Sequence, residues 1–229
     1  MKQRIWELDA LRGLCICGMV IVHLFYDLIT FGGMKIAIPQ WAYFVQEYGH
    51  VLFVLISGIC VTLGKKSVKR GVYVLCAALL ISYVTLFAEA FFAMKNLRIW
   101  FGILHLLGFC MVLYPLFQRL PHWALAIIGL AFVVLGFWMK GLRVDVDFLF
   151  PLGLRSGRVF TGSDFFPLFP GLGWFLLGAA IGKSAYRKKC SLLPNWSRFF
   201  RFFSFCGQHS LEIYMIHQPI LAGIVLFLA

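Results

Sequence analysis

The sequence predicts an all-α polytopic membrane protein, a bundle of about seven transmembrane helices with its N-terminus cytoplasmic and its C-terminus extracytoplasmic. Three observations carry this. Apolar residues make up 62% of the chain and charged residues 13%, whereas a soluble domain has about half apolar and about a quarter charged residues. Seven spans of about 20 residues each would occupy about 140 of the 229 positions, which matches the apolar fraction and leaves no room for a large soluble domain. Lys and Arg, finally, are shared unequally between alternate loops. The whole chain, 1–229, therefore reads as a single transmembrane domain.

The apolar runs fall at 13–31, 41–64, 71–93, 99–117, 123–139, 166–182 and 208–229. Each is expected to be helical, because a span must satisfy its backbone hydrogen bonds internally. The start does not read as a cleavable signal, since Asp9 and Arg12 interrupt it and no small-residue cleavage site follows. The N-terminus, loop 65–70, Arg119 and loop 183–207 together carry 13 Lys and Arg, against 7 in the other loops. The excess marks the cytoplasmic side, and an odd number of spans then puts the C-terminus outside.

The net charge of +12 fits this frame. Basic residues in short loops set topology and face anionic headgroups. No basic stretch is long enough to fold as a nucleic-acid-binding module, so nucleic acid is excluded as a partner. The seven cysteines lie mostly inside apolar runs, without zinc or haem spacing, and read as apolar fillers. Residues 140–165 form the longest external connection, either a cap over a site or an interfacial stretch. Residues 183–205, with Trp196, Phe199, Phe200, Phe202 and Phe203 among arginines, read as an amphipathic helix on the membrane surface.

Ionisable groups inside a span are costly and usually face the bundle interior or a cavity. The first run holds Arg12, His23 and Asp27. Arg12 and His23 are separated by three helical turns plus about 20°, and Asp27 follows His23 at i, i+4, so all three share one face. With Leu11 at the inner boundary, His23 lies about 18 Å deep and Asp27 about 24 Å. His105, in the oppositely directed fourth run, falls at about 21 Å. Arg98 lies seven residues before His105, near the outer surface. Glu47 and His50 enter from outside, and Glu89 lies near the outer end of the third run. The last run adds Ser210, Tyr214, His217 and Gln218 at helical spacing. Each has a plainer alternative: a packing histidine, an internal salt bridge, an interfacial Glu89. Convergence in depth points instead to one buried site. A zinc site from the histidines and Asp27 has no dedicated ligand spacing, and no metal is expected.

Several stretches resemble the bacterial branch of the heparan-α-glucosaminide N-acetyltransferase catalytic-domain family of membrane acyltransferases. They are Trp6-Glu-Leu-Asp-Ala-Leu-Arg-Gly-Leu, His23-Leu-Phe-Tyr-Asp27, Phe53-Val-Leu-Ile-Ser-Gly58, Phe101-Gly-Ile-Leu-His105, Phe166-Pro-Leu-Phe-Pro-Gly, and Gly207-Gln-His-Ser-Leu-Glu-Ile-Tyr-Met-Ile-His-Gln-Pro219. They occur in order along nearly the whole chain. Arg12 and His23 also match the Arg-x10-His pattern of the related acyltransferase-3 O-acetyltransferases. The resemblance implies transfer of an acyl group, usually acetyl from acetyl-CoA, across a bacterial cytoplasmic membrane to a sugar or other extracytoplasmic acceptor. The lysosomal enzyme's luminal His, in a His-Ala-Ser-Trp setting, has no counterpart here, where Ile38-Pro39-Gln40 precede Trp41.

This chemistry assigns roles to the stripe. Arg12 and the basic loops would hold the phosphates of acetyl-CoA. Neutral His23 would take the proton from the acceptor, Asp27 would orient its ring, and His105 or Arg98 would stabilise the tetrahedral oxyanion. Tyr214, His217 and Gln218 would bind substrate. Direct transfer and an acyl-His intermediate both stay open, and a homo-oligomer is compatible with the sequence. The competing class is a proton-coupled small-solute transporter built on the same His/Asp stripe, although no inverted repeat supports it.

Overall fold

The computed structural model describes residues 4–35, 37–92, 97–142, 144–154, 164–194 and 196–228, and among them every regular element is helical. The helices are α1 (Trp6–Thr30), α2 (Gln40–Leu63), α3 (Ser67–Phe92), α4 (Ile103–Phe117), α5 (His122–Met139), α6 (Leu168–Ser184), α7 (Arg201–Gln208) and α8 (Ser210–Leu228), with a 3-10 turn at Asp147–Leu152. Each of the seven expected apolar runs contains a helix, with α4 and α6 starting later than expected at Ile103 and Leu168. Four of the helices, α1, α2, α3 and α5, are long and apolar enough to cross a membrane. The other three apolar helices, α4, α6 and α8, have 15, 17 and 19 residues. Fifteen residues rise only about 22 Å, so α4 needs its flanking segment to cross a core about 30 Å thick. The exposed side chains suit lipid rather than water. Along α3, Tyr73, Tyr83 and Phe91 are 70%, 69% and 71% exposed, a burden in water that a lipid-facing helix does not carry.

The chain forms two compact units. The first comprises residues 1–56 and 188–229. Here α1 begins seven residues before the expected apolar run and takes Glu7 and Asp9 into its first turn, where acidic groups suit the positive end of the helix dipole. Small residues let α1 and α7 touch. A Cβ at Gly13 would run into the Phe203 carbonyl, and one at Gly207 into the Asp9 carbonyl. Such close backbone approach is how helices associate where no hydrophobic effect drives them. Farther along, α1 and α8 run parallel, since His23 meets His217 and Asp27 meets Gln218.

The segment before α7 differs from expectation. One amphipathic helix over 183–205 is replaced by the end of α6, a loop, and the short α7. Pro194 interrupts any helix there, and Glu7 holds the loop by accepting from the Ser191 hydroxyl (2.6 Å) and the Leu192 N–H (2.8 Å). The amphipathic character survives in α7, which buries Ser204, Cys206 and Gly207 and exposes Phe202 and Phe205.

The second unit comprises residues 57–187. Its core is Cys110 of α4, Leu125 of α5, and Phe175, Leu176 and Ala179 of α6, all with no exposed surface. Glycines again set the helix spacing. Gly129 of α5 and Gly173 of α6 face each other, and Gly71 of α3 lies against Gly108 of α4. Gly182 abuts Ile59 and Thr62, and Lys183 reaches the carbonyls of Gln118 and Leu120. The connections at 64–66, 118–121 and 183–187 therefore share one end of this unit. These are loops that the charge count puts on the cytoplasmic side. The 140–165 connection is described in part: Asp147–Leu152 form the 3-10 turn with Phe148 exposed, while residues 155–163 lie outside the described residues. None of the seven cysteines is in a disulfide.

Candidate active site

The first unit gathers six of the eight expected site residues on two helices, α1 and α8. Asp27 is fully buried, and its two carboxylate oxygens accept from the Gln218 Nε2 at 2.9 and 3.1 Å. A buried carboxylate without such a partner would be very costly, so this contact fixes both side chains. His23, one turn before Asp27, turns its ring edge-on to His217, with centroids 5.1 Å apart. Tyr214 lies one turn before His217, and their rings are 5.4 Å apart.

The protonation pattern of His217 follows from its partners. Its Nδ1 lies 2.8 Å from the Tyr214 carbonyl oxygen. A carbonyl only accepts, so Nδ1 carries the proton, and in the neutral form of the ring Nε2 is a lone-pair acceptor. That Nε2 is buried and unpartnered, and so is the Gln218 Oε1. Since the Gln218 amide nitrogen is committed to Asp27, its oxygen is likewise an acceptor in search of a donor. Each unpaired buried group of this kind costs about 1–3 kcal/mol. Two of them, beside His23 and Asp27, can accept N–H or O–H donors.

The geometry refines the expected roles. Asp27 is on the expected face, but among the described residues its hydrogen-bond partner is Gln218, not His23. The i, i+4 spacing brings two residues to one face, yet here both side chains reach across to α8. Arg12 lies nearer the start of α1, and its Nη1 approaches the Gly207 carbonyl at 3.4 Å. The Arg12, His23 and Asp27 stripe thus faces α7 and α8 along its length.

His105 and Arg98 belong to the second unit. The His105 Nδ1 accepts the Gly102 N–H at 3.2 Å, its Nε2 lies 3.3 Å from the Ser82 hydroxyl, and that hydroxyl donates to the Ile99 carbonyl at 2.7 Å. The chain of bonds ties the 99–102 segment to α3 and α4 and occupies both ring nitrogens. Arg98 is bonded to Glu89 through Nε at 2.8 Å, and its backbone N–H and that of Leu97 reach the other carboxylate oxygen. Those hydrogen bonds raise the Arg98 pKa, so the guanidinium stays charged. Any oxyanion role for His105 or Arg98 therefore competes with bonds each already makes. Glu7, the Glu89–Arg98 pair and the Ser82 link were not read as structural contacts in the sequence; only the position of Glu7 within the Trp6–Leu14 stretch pointed toward it.

No curated protein and no solved structure matches the chain. Residues 4–219 do match the family described as "Heparan-alpha-glucosaminide N-acetyltransferase, catalytic". That range takes in α1 with Arg12, His23 and Asp27, the 97–105 segment, and α8 as far as Pro219. The chain belongs to the heparan-alpha-glucosaminide N-acetyltransferase catalytic-domain family.

Proposed function

We propose that this protein is an integral membrane acetyltransferase that moves an acetyl group from cytoplasmic acetyl-CoA to an amine or hydroxyl of a sugar-like acceptor on the far side of a bacterial cytoplasmic membrane. The observation that carries this is the α1–α8 cluster. A buried carboxylate held by Gln218, a histidine pair, and two unpaired buried acceptors lie together where α8 meets α1, the helix that also carries Arg12. Seven spans with the N-terminus inside fit the parallel course of α1 and α8 and the basic loops gathered at one end of the second unit.

In this reading the acceptor donates its N–H or O–H groups to the His217 Nε2 and the Gln218 Oε1. Neutral His23 takes the proton as the acceptor's nitrogen or oxygen attacks the thioester carbonyl. The tetrahedral intermediate collapses, the C–S bond breaks, and the thiolate of CoA leaves with the proton from His23. Asp27, held by its Gln218 bonds and one turn away, stabilises the imidazolium that forms between these steps. Arg12 guides the donor's phosphates near the inner end of α1. His105 and Arg98, if they aid the oxyanion, do so by exchanging present partners for it; as found, they shape the 97–105 segment.

The test is direct. Protein purified in detergent is mixed with acetyl-labelled acetyl-CoA and a panel of amino sugars and neutral sugars. Label appearing on an acceptor with stoichiometric release of CoA thiol supports the reading. Proton-coupled solute uptake into proteoliposomes, with no thiol release, would establish the transporter alternative instead.

A further inference from the structure

The second unit holds a cationic cleft made of residues outside the α1–α8 site. It encloses about 510 Å³ between the α4–α5 turn and the end of α6, lined by Arg119, His122, Lys183, Ser184 and Arg187. Its architecture is fixed by Lys183, whose Nζ donates to the Gln118 carbonyl at 2.6 Å and the Leu120 carbonyl at 2.7 Å. Those bonds satisfy carbonyls at the C-terminal end of α4 and pin the turn against α6. An ammonium has three donors, so one remains. Arg119, His122 and Arg187 are exposed around it.

No counter-charge lies in this cleft. All nine Asp and Glu residues are among the described ones; none lines the cleft, and the one ion pair found among the described residues is Arg98–Glu89. Three fixed cations and a histidine in a concavity without an acid create a strongly positive local potential. The N-terminus of α5, capped by Pro121 with no side-chain bond, adds its dipole in the same sense. The position is equally informative. The cleft lies at the ends of apolar helices, and Trp123, next to His122, is 61% exposed, as interfacial tryptophans are.

We propose that this cleft is a phosphate-ester binding site at the membrane surface, with Arg119 and Arg187 as bidentate ligands and Lys183 supplying its third donor. Two sources offer that chemistry: the headgroup of an anionic phospholipid and the phosphorylated nucleotide end of a CoA-type donor. The proposal stands independently of the α1–α8 site, because it rests on the second unit alone.

The experiment compares wild type with Arg119→Gln/Arg187→Gln in two arms. One measures retention of phosphatidylglycerol against phosphatidylcholine by native mass spectrometry from mixed-lipid nanodiscs. The other measures binding of CoA by calorimetry in zwitterionic detergent. Loss of two charge-assisted contacts predicts at least about a tenfold weakening in one arm, and that arm names the source. Lys35→Ala/Lys140→Ala removes the same charge away from the cleft and should leave both arms unchanged. A second measurement needs no variant: the effective probe should protect Arg119 and Arg187 of the wild type from phenylglyoxal. If neither arm distinguishes the double variant from wild type, if the Lys35/Lys140 variant weakens binding equally, or if neither probe protects the arginines, the cleft is not a phosphate site.

Discussion

Gln218→Met tests the bond on which the site's geometry depends. The substitution keeps the length of the side chain and removes its amide. In wild type one amide nitrogen serves both Asp27 oxygens, at 2.9 and 3.1 Å, and the carboxylate has no exposed surface through which water could replace it. A hydrogen bond to a charged group is worth about 1.5–3 kcal/mol, while interhelical bonds in a membrane average about 0.6 kcal/mol. The burial of Asp27 decides between these, because its unpaired carboxylate cannot find a new partner in the folded state. The expected loss of stability is therefore about 2 kcal/mol, and a double-mutant cycle with Asp27→Leu, which leaves no acceptor, should give a coupling of at least about 1 kcal/mol. Reversible unfolding in mixed micelles, followed by tryptophan fluorescence, measures both. The same cycle on acetyl transfer should show Gln218→Met lowering the rate even where the protein is folded. A coupling below about 0.3 kcal/mol, within ordinary additivity, would refute the assignment of Gln218 as the partner of Asp27.

Other consequences follow from particular contacts. His217→Phe keeps the ring contact with His23 but deletes the unpaired acceptor, so acceptor KM should rise about tenfold or more with a smaller change in kcat, as initial-rate kinetics will show. Gly207→Val drives a side chain into the Asp9 carbonyl and should cost more than about 3 kcal/mol by overpacking α1 against α7, read as loss of folded protein by size exclusion. His105→Ala and Ser82→Ala break one chain of bonds, so each should destabilise by about 1–3 kcal/mol and the pair should be less than additive in the same unfolding assay. A reporter fused after Ala229 should be active only when its chemistry requires the extracytoplasmic side; strong activity of a cytoplasm-restricted reporter there would contradict the seven-span topology.

Much of this was legible in the sequence because it is periodic. Arg12, His23 and Asp27 recur at helical spacing, as do Tyr214, His217 and Gln218, and within the first unit those stripes face each other. Periodicity specifies a face but not which side chain across the gap accepts a bond. It therefore paired Asp27 with His23, when the longer reach of Gln218 from a parallel helix takes the carboxylate. Depth arithmetic set His105 level with His23, yet equal depth says nothing about direction, and the ring of His105 is taken by Gly102 and Ser82. Glu7 was hidden for a related reason. Its partners, Ser191 and Leu192, lie in an irregular loop more than 180 residues away, and no local pattern encodes such a contact. The cationic cleft was half visible: Arg119 and loop 183–207 were counted together as cytoplasmic charge, but only the Lys183 bonds to the carbonyls of Gln118 and Leu120 in the α4–α5 turn make them one concave surface.

Acetyl transfer by His23→Ala, measured with labelled acetyl-CoA and the best acceptor in the panel, tests the central claim most directly. Loss of a general base should lower the rate about 10²–10⁴-fold, while His209→Ala, at the end of α7 beside Phe205, should transfer at close to the wild-type rate. The account predicts that loss in a His23→Ala protein that elutes and unfolds like wild type and still binds CoA. A well-folded His23→Ala protein that transfers acetyl at the wild-type rate would contradict it.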